Sequence, residues 1–425
     1  MTFFLQSIGY FEFENTTDMN KLTLVFATFL IAACCNAQYK NDNVVYKTVY
    51  TQDLCKELQK QPGYLILDVR SPGEYADTSM MGMNIGRFKD AKNINVRELG
   101  PRIGELAAYK DKPVFVYCSH SQRSRRASKM LADSGFTNVI NINGGMTGIL
   151  QLPAATNACV LKQLSTKINF NMLSAQDFCN KLAKKSSRLF VLDVRDDSSY
   201  NHISTDAKIN AYGTFKSAVH ISLAELQTGK AIIPKDKEIV IIDLFGDAAS
   251  KAAEILKENN YTNLSVLVEG VDRMLQINNN ELPCMTTEYV SPVNYKIISA
   301  QQLKGIVDNS NDYVFLDIRT QEEFANKHKN FWQNLGHLVN AINIPTSHID
   351  QQIADIEKYK TRPVIVYGFG SSTTTFEAAN KLSAKGFTNV SVLQGGIFNV
   401  GWTAANIKGY SSLAALRVEV PIDNQ

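Results

Sequence analysis

Three times along the chain a short, unbroken apolar run ends in Asp-(Val/Ile)-Arg: Leu65-Ile-Leu-Asp-Val-Arg70, Leu189-Phe-Val-Leu-Asp-Val-Arg195 and Val314-Phe-Leu-Asp-Ile-Arg319. Runs of four or five residues with no polar alternation predict strands buried on both faces. A second such run follows each time, as Val114-Phe-Val-Tyr117, Ile239-Val-Ile-Ile242 and Val364-Ile-Val-Tyr367, with a spacing of 125 residues. Further on, Gly135-Phe-Thr-Asn-Val139, Asn260-Tyr-Thr-Asn-Leu264 and Gly386-Phe-Thr-Asn-Val390 each precede an apolar strand and then Gly144-Gly145, Glu269-Gly270 or Gly395-Gly396. Stretches of helical period, such as Ser124-Arg-Arg-Ala-Ser-Lys-Met-Leu-Ala-Asp133, lie between the strands. Strand, helix, strand in this order predicts an α/β fold, a parallel sheet with helices on both faces, present three times in tandem.

The repeat divides the chain into units at 43–155, 165–283 and 291–408, with linkers near Pro153 and Pro283 and a C-terminal tail at 409–425. A length of 425 residues accommodates them, at roughly 100 to 200 residues per domain. The composition, 44% apolar and 20% charged with no low-complexity tract, is that of folded protein. The net charge of +3 arises from interleaved acids and bases, which argues against a nucleic-acid surface.

Residues 1–37 read as a signal region. Lys21 precedes an uncharged apolar run from Leu22 to Cys35, too short to span a bilayer comfortably, and small residues lead to a plausible cleavage point after Ala37. Export, to a periplasm or as a secreted protein, is the expectation. An alternative is a lipid-anchored lipoprotein, because Ile31-Ala32-Ala33-Cys34 resembles a bacterial lipobox; membrane association is expected only if Cys34 is lipidated. Glu12, Glu14 and Asp18 have the wrong charge for a signal head, so Met19 is an alternative start, and a buried hydrophobic helix is the third reading.

Seven cysteines are present, two of them, Cys34 and Cys35, in the signal region. Cys55 and Cys179 fall at equivalent places in helical segments, and Cys159 and Cys284 fall in the linkers, 125 residues apart. These four look positional, and two of them could pair in an exported protein, although spacing does not assign the partners. The six histidines show no ligand spacing, so neither a metal nor a cofactor is expected.

Cys118 is different. In Val116-Tyr-Cys118-Ser-His-Ser-Gln-Arg123-Ser124 a cysteine ends a buried strand, four polar residues follow, and Arg-Ser opens a helix. In parallel sheets ligands sit at the carboxyl ends of strands, where loops lead into helices. Loop N–H groups, the helix N-terminus and the Arg123 charge together make an anion cradle, and the field that holds an anion favours the reactive thiolate.

These residues resemble the rhodanese superfamily over about 350 residues: an Asp-Val-Arg strand end, Glu74-Tyr75, the segment Gly86 to Ile94, a Cys-x-x-x-x-Arg-Ser loop and a late Gly-Gly occur in the family order. The resemblance implies three tandem rhodanese-like domains, with sulfur carried as a persulfide on Cys118. It makes Cys118 the nucleophile, Arg123 the group that orients the donor anion and closes the loop, and Ser119, His120, Ser121, Gln122 and Ser124 the binding loop. Asp68 and Arg70 recur in all three units, which favours a scaffold role over tuning of the loop. His120 reads as a solvent-facing loop residue, with contact to the persulfide or an acceptor as the alternative. The segment between Tyr75 and Gly86, with Met80-Met-Gly-Met83, is longer than the family's, as is Phe324 to Gly336; it is expected to wall the cleft or cement neighbouring units.

The other two units lack the chemistry. Asp243 and Ala248 stand where Cys118 and Arg123 stand, and Gly368 and Thr373 occupy those places in the third unit. Asp243 is expected to repel an anion, making the second unit structural; the third is expected to be an inactive packing domain, with anion binding by Gly368 to Thr375 through backbone N–H groups and hydroxyls as the alternative. Three functions follow: an exported sulfurtransferase using thiosulfate, polysulfide or a persulfide donor; a non-enzymatic sulfane-sulfur carrier or binding scaffold; and a cysteine phosphatase or arsenate reductase. The last is opposed by four residues between Cys118 and Arg123, where phosphatase relatives have five. The implied partners are a small sulfur-containing anion and a thiol-bearing acceptor protein.

Overall fold

The computed structural model describes residues 41–79 and 84–418. The signal region with Cys34, and Met80-Met-Gly-Met83, lie outside the described residues. Among the described residues no helix is long and apolar enough to cross a membrane, and no cluster of His, Cys, Asp or Glu could hold a metal.

Each unit builds one five-stranded parallel sheet. In the first, the strand order is Lys47–Val49, Val139–Ile142, Val114–Tyr117, Leu65–Asp68 and Lys92–Asn93, and the other two units repeat it. The predicted runs are the two inner strands in every unit: Leu65–Asp68 pairs with Val114–Tyr117, Leu189–Asp193 with Glu238–Ile242, and Val314–Asp317 with Val364–Tyr367. Alternate residues serve opposite cores. Leu65, Leu67, Val114 and Val116 pack into one layer, and Ile66, Phe115 and Tyr117 into the other, which explains why the sequence shows no polar alternation.

At the carboxyl edge of each sheet the Asp-x-Arg pair is buried and identically bonded. Arg70 donates through Nε and Nη2 to Asp68 and through Nη2 to the Gly86 carbonyl at 2.8 Å. Arg319 does the same with Asp317 and Gly336, and Arg195 pairs with Asp193. Because the pair ties the strand end to the segment entering the next strand, it reads as scaffold in all three units.

The chain beyond each predicted unit end is folded. Ala154–Leu161 is a helix, and Leu164–Ser165 pairs antiparallel with Arg87–Phe88. Cys284–Thr287 and the pairing of Tyr289–Val290 with Thr214–Phe215 repeat this. The stretch read as a tail at 409–425 is, as far as Val418, the third version: Ser411–Leu416 coils, and Arg417–Val418 pairs with His337–Leu338. Two-residue strands carry too little periodicity to be read from sequence. Disulfides fasten two of these extensions, Cys55 to Cys159 and Cys179 to Cys284, while the third unit has Lys304 at the position of Cys179 and no cysteine.

The units close into a ring. The end of each one meets the start of the first helix of the next: Ala154 N–H donates to Asp177 (2.9 Å), Asn278 N–H to Gln301 (2.7 Å), and Lys408 Nζ returns to Asp53 (2.9 Å). Further bonds cross the boundaries beyond the last sheet strand: Gln151 donates to the Val268 carbonyl, Gln394 to Asp272, and Asn143 to the Ala405 carbonyl. The lengthened segments help: Asp77 accepts from Thr166 and Lys167, and Asp206 and Tyr212 of the second unit meet Thr373 and Phe376 of the third.

Candidate active site

Cys118 follows Val114–Tyr117 directly and is 1% exposed. The chain reverses over Ser119 to Ser121 and enters the helix Gln122–Asp133. Ser121 holds φ at 85°, a left-handed conformation uncommon for a residue with a side chain, and this aims its N–H at Cys118 Sγ, 3.1 Å away. The Ser121 hydroxyl receives the Gly144 N–H, tying the loop to the Gly-Gly turn. Ser124 Oγ lies 3.7 Å from Sγ and 2.7 Å from Asn141 Oδ1. Beneath the loop, Met146 and Thr147 N–H groups bind the Cys118 and Ser119 carbonyls at 2.9 and 3.1 Å. That approach needs glycine at 145: its φ is +57°, and a Cβ there would sit 2.2 Å from the Cys118 carbonyl oxygen.

Arg123 reaches over the loop, but its charge is matched. Nη1 and Nη2 donate to the two carboxylate oxygens of Glu74, both at 2.7 Å, and Nη2 also reaches Ser119 Oγ at 2.8 Å. Burial raises the Glu74 pKa, yet the Arg123 hydrogen bonds and the Ser71 N–H outweigh it and hold the carboxyl at about 2. The same contact, helped by Cys118, raises Arg123. Glu74 is therefore part of the site, and the signal for it was the Glu-Tyr of the motif, which sequence reasoning quoted without assigning a role.

Cys118, Ser119, Ser121, Arg123 and Ser124 are thus brought together, with Asn141 an unforeseen member. His120 and Gln122 turn elsewhere. They line a cavity of about 440 Å3 where the three units meet, together with Glu269 and Arg273 of the second unit and Ser371 and Trp402 of the third. His120, read as solvent-facing, is bonded across the unit boundary: Nε2 lies 2.7 Å from Glu269 Oε1. Asp68 and Arg70 stay in their own buried pair.

The loop of the second unit is filled from within. The Asp243 carboxylate accepts the Gly246, Ala248 and Ala249 N–H groups, the latter two at 2.8 and 3.2 Å. Burial outweighs these bonds and lifts its pKa to about 6. In the third unit the helix Thr373–Ala384 begins after five loop residues, not four, so Thr374 rather than Thr373 stands in the register of Arg123. Ser371 there repeats the Ser121 contact, its Oγ accepting the Gly395 N–H at 2.7 Å.

The fold and loop define a class: a parallel α/β sheet with a lone thiol at its carboxyl edge, set in a cradle of N–H groups. The chain belongs to the rhodanese-like family, whose domain model, described as "Rhodanese-like domain", matches residues 51–152, 174–276 and 299–404. The uncharacterized protein YqhL of Bacillus subtilis is 31% identical over 122 residues, spanning 29% of this chain and 85% of its own. A tRNA uridine(34) hydroxylase of Cytophaga hutchinsonii is 33% identical over 94 residues, 21% of this chain and 28% of its own. A thiosulfate sulfurtransferase structure from Pseudomonas aeruginosa is 14% identical, with 82% of this chain and 66% of that one covered and a TM-score of 0.21.

Proposed function

We propose that the protein is an exported rhodanese-type sulfurtransferase that moves sulfane sulfur through a persulfide on Cys118. The observation that carries this reading is the second unit's loop. The same backbone turn there gives three N–H groups to one carboxylate, so the turn converges donors on the side chain at its head, and the first unit places a thiol there. The Cys118 thiolate attacks the outer sulfur of thiosulfate, an Sγ–S bond forms, the donor's S–S bond breaks, and sulfite leaves with the electron pair. A thiophilic acceptor then takes the outer sulfur and returns the thiolate. Polysulfide or a protein persulfide would react in the same way, with a shorter polysulfide or a thiolate leaving.

Two disulfides, with Cys118 the free cysteine among the described residues, support an oxidising compartment. Burial of Cys118 favours one further reading, a carrier that discharges only to a thiol-bearing partner. Membrane association enters only through lipidation at Cys34.

The test is the intact mass of the full chain after thiosulfate or polysulfide, beside Cys118→Ser, with thiocyanate release measured in cyanide. An adduct of roughly 32 mass units that needs Cys118 and turns over is the expected result. An adduct without turnover makes the protein a carrier, and no adduct on reduced protein overturns sulfur transfer.

A further inference from the structure

Glu269 sits where the sister repeats have glycine, and it keeps the glycine conformation. Gly144 and Gly395 have φ of 76° and 77°, and Glu269 has 58°. Asn or Asp enters this region more readily through local hydrogen bonds of a short side chain, whereas glutamate there is uncommon. A side chain held at such a φ is retained for what it touches. Glu269 makes no hydrogen bond to its own loop. Its carboxylate meets His120 Nε2 of the first unit's active loop at 2.7 Å and Gln151 Nε2, also of the first unit, at 3.4 Å, while Arg273 beside it is 3.9 Å away. Both hydrogen bonds cross the unit boundary.

We infer that Glu269, from a unit with no nucleophile, is a positioning residue for the Cys118 loop, acting through His120. An ionised carboxylate only accepts, so His120 Nε2 is the donor of this contact, which fixes the orientation of the ring. His120 is two residues from Cys118 and one from Ser121, whose left-handed φ directs the N–H onto Sγ. Anchoring His120 limits the freedom of the loop at the residue before that turn. The catalytic loop is therefore completed by the neighbouring unit, which gives the second repeat a role in sulfur transfer without chemistry of its own. This inference rests on the proposed persulfide chemistry, but its structural half can be tested apart from it.

The experiment uses the full chain with Glu269→Gly, Glu269→Gln, His120→Ala, the double variant Glu269→Gly/His120→Ala, and Gln151→Ala. Two rates are read: persulfide formation at Cys118 under thiosulfate, and iodoacetamide alkylation of the Cys118 peptide by mass spectrometry. Glu269→Gly restores the residue of the sister repeats, so its unfolding midpoint is expected within a few degrees of wild type. Its persulfide formation should fall at least tenfold while alkylation of the freed loop rises several-fold. Glu269→Gln, which keeps the acceptor, should stay within about threefold. His120→Ala should match Glu269→Gly, and the double variant should lose no more than either single variant. Gln151→Ala, which removes the 3.4 Å contact to Glu269 and the bond to the Val268 carbonyl but leaves the His120 pair, should change neither rate more than twofold.

Unchanged alkylation and sulfur transfer in a folded Glu269→Gly protein would overturn the inference, as would full additivity with His120→Ala. A wild-type protein that takes up no sulfur refutes the functional reading alone, because the alkylation series still reports whether Glu269 positions the loop.

Discussion

Replacing Glu74 with Gln isolates the contact that holds Arg123 over the loop. Gln at this position still serves the capping box with Ser71, whose hydroxyl and N–H bond the Glu74 carboxylate and backbone. The perturbation is therefore mainly the bidentate link to Arg123. The Glu74 carboxyl is 10% exposed, and its pKa is lowered from 4.5 to about 2, since hydrogen bonds to Arg123 and Ser71 overcome the effect of burial. At 1.36 kcal/mol per unit the shift corresponds to about 3 kcal/mol. Arg123 is 35% exposed, so solvent screening and the share kept by Ser71 reduce the expected loss to about 2 kcal/mol. The sign is that of a depressed carboxyl: the stabilisation is complete above pH 4.5 and disappears as pH falls through about 2. Urea unfolding of wild type and Glu74→Gln should thus differ by about 2 kcal/mol at pH 7 and by less than half of that at pH 3. A difference below about 0.5 kcal/mol at pH 7, or one equal at both pH values, would refute the pairing as an energetic link.

The remaining predictions concern the other loops and the fasteners. Asp243 has its folded pKa raised from 3.8 to about 6, so its contribution is full below pH 4 and lost as pH rises through 6, by an amount on the order of 3 kcal/mol; Asp243→Asn should flatten that part of the stability profile, and an unchanged slope between pH 4 and 7 in thermal melts would count against it. Reducing Cys55–Cys159 and Cys179–Cys284 should lower stability by roughly 2–4 kcal/mol each, read as the shift in unfolding midpoint with and without reductant. Gly145→Ala places a methyl 2.2 Å from the Cys118 carbonyl and should abolish persulfide formation while circular dichroism remains near that of the wild type.

The threefold repeat, the inner strands and the Cys118 loop were legible in the sequence because each is a local pattern: an apolar run, a fixed spacing, a cysteine and arginine on one turn. What was not legible depends on contacts between distant segments. The Arg123 charge is legible, but its partner Glu74 lies 49 residues away and meets it only through the fold. The disulfide partners, 104 and 105 residues apart, become neighbours only because the chain past each predicted unit end returns as a helix. His120 is 42% exposed as a loop residue would be, but its bond to Glu269 was not legible since that partner belongs to another repeat. The extra loop residue of the third unit was legible but unused: the strands Val114–Tyr117, Glu238–Ile242 and Val364–Tyr367 keep a spacing of 125, whereas Gly144, Glu269 and Gly395 are spaced by 125 and then 126, which puts one added residue between strand and Gly-Gly turn.

Three copies of one loop also show what the turn requires. Buried N–H groups at a helix start need acceptors. The second unit meets this need with Asp243, which takes three of them. The first unit has Sγ at that position, and among the described hydrogen bonds the backbone N–H it receives is that of Ser121. The bonds that Ala248 and Ala249 give to Asp243 have no counterpart from Arg123 and Ser124 to Cys118. On the proposed reading, the N–H groups of Arg123 and Ser124, the counterparts of the two that Asp243 receives from Ala248 and Ala249, are what an added sulfur would meet. Asp243 in the second unit thus does more than lack nucleophilicity: it supplies from within the acceptor that, on the same proposal, the first unit takes from its substrate.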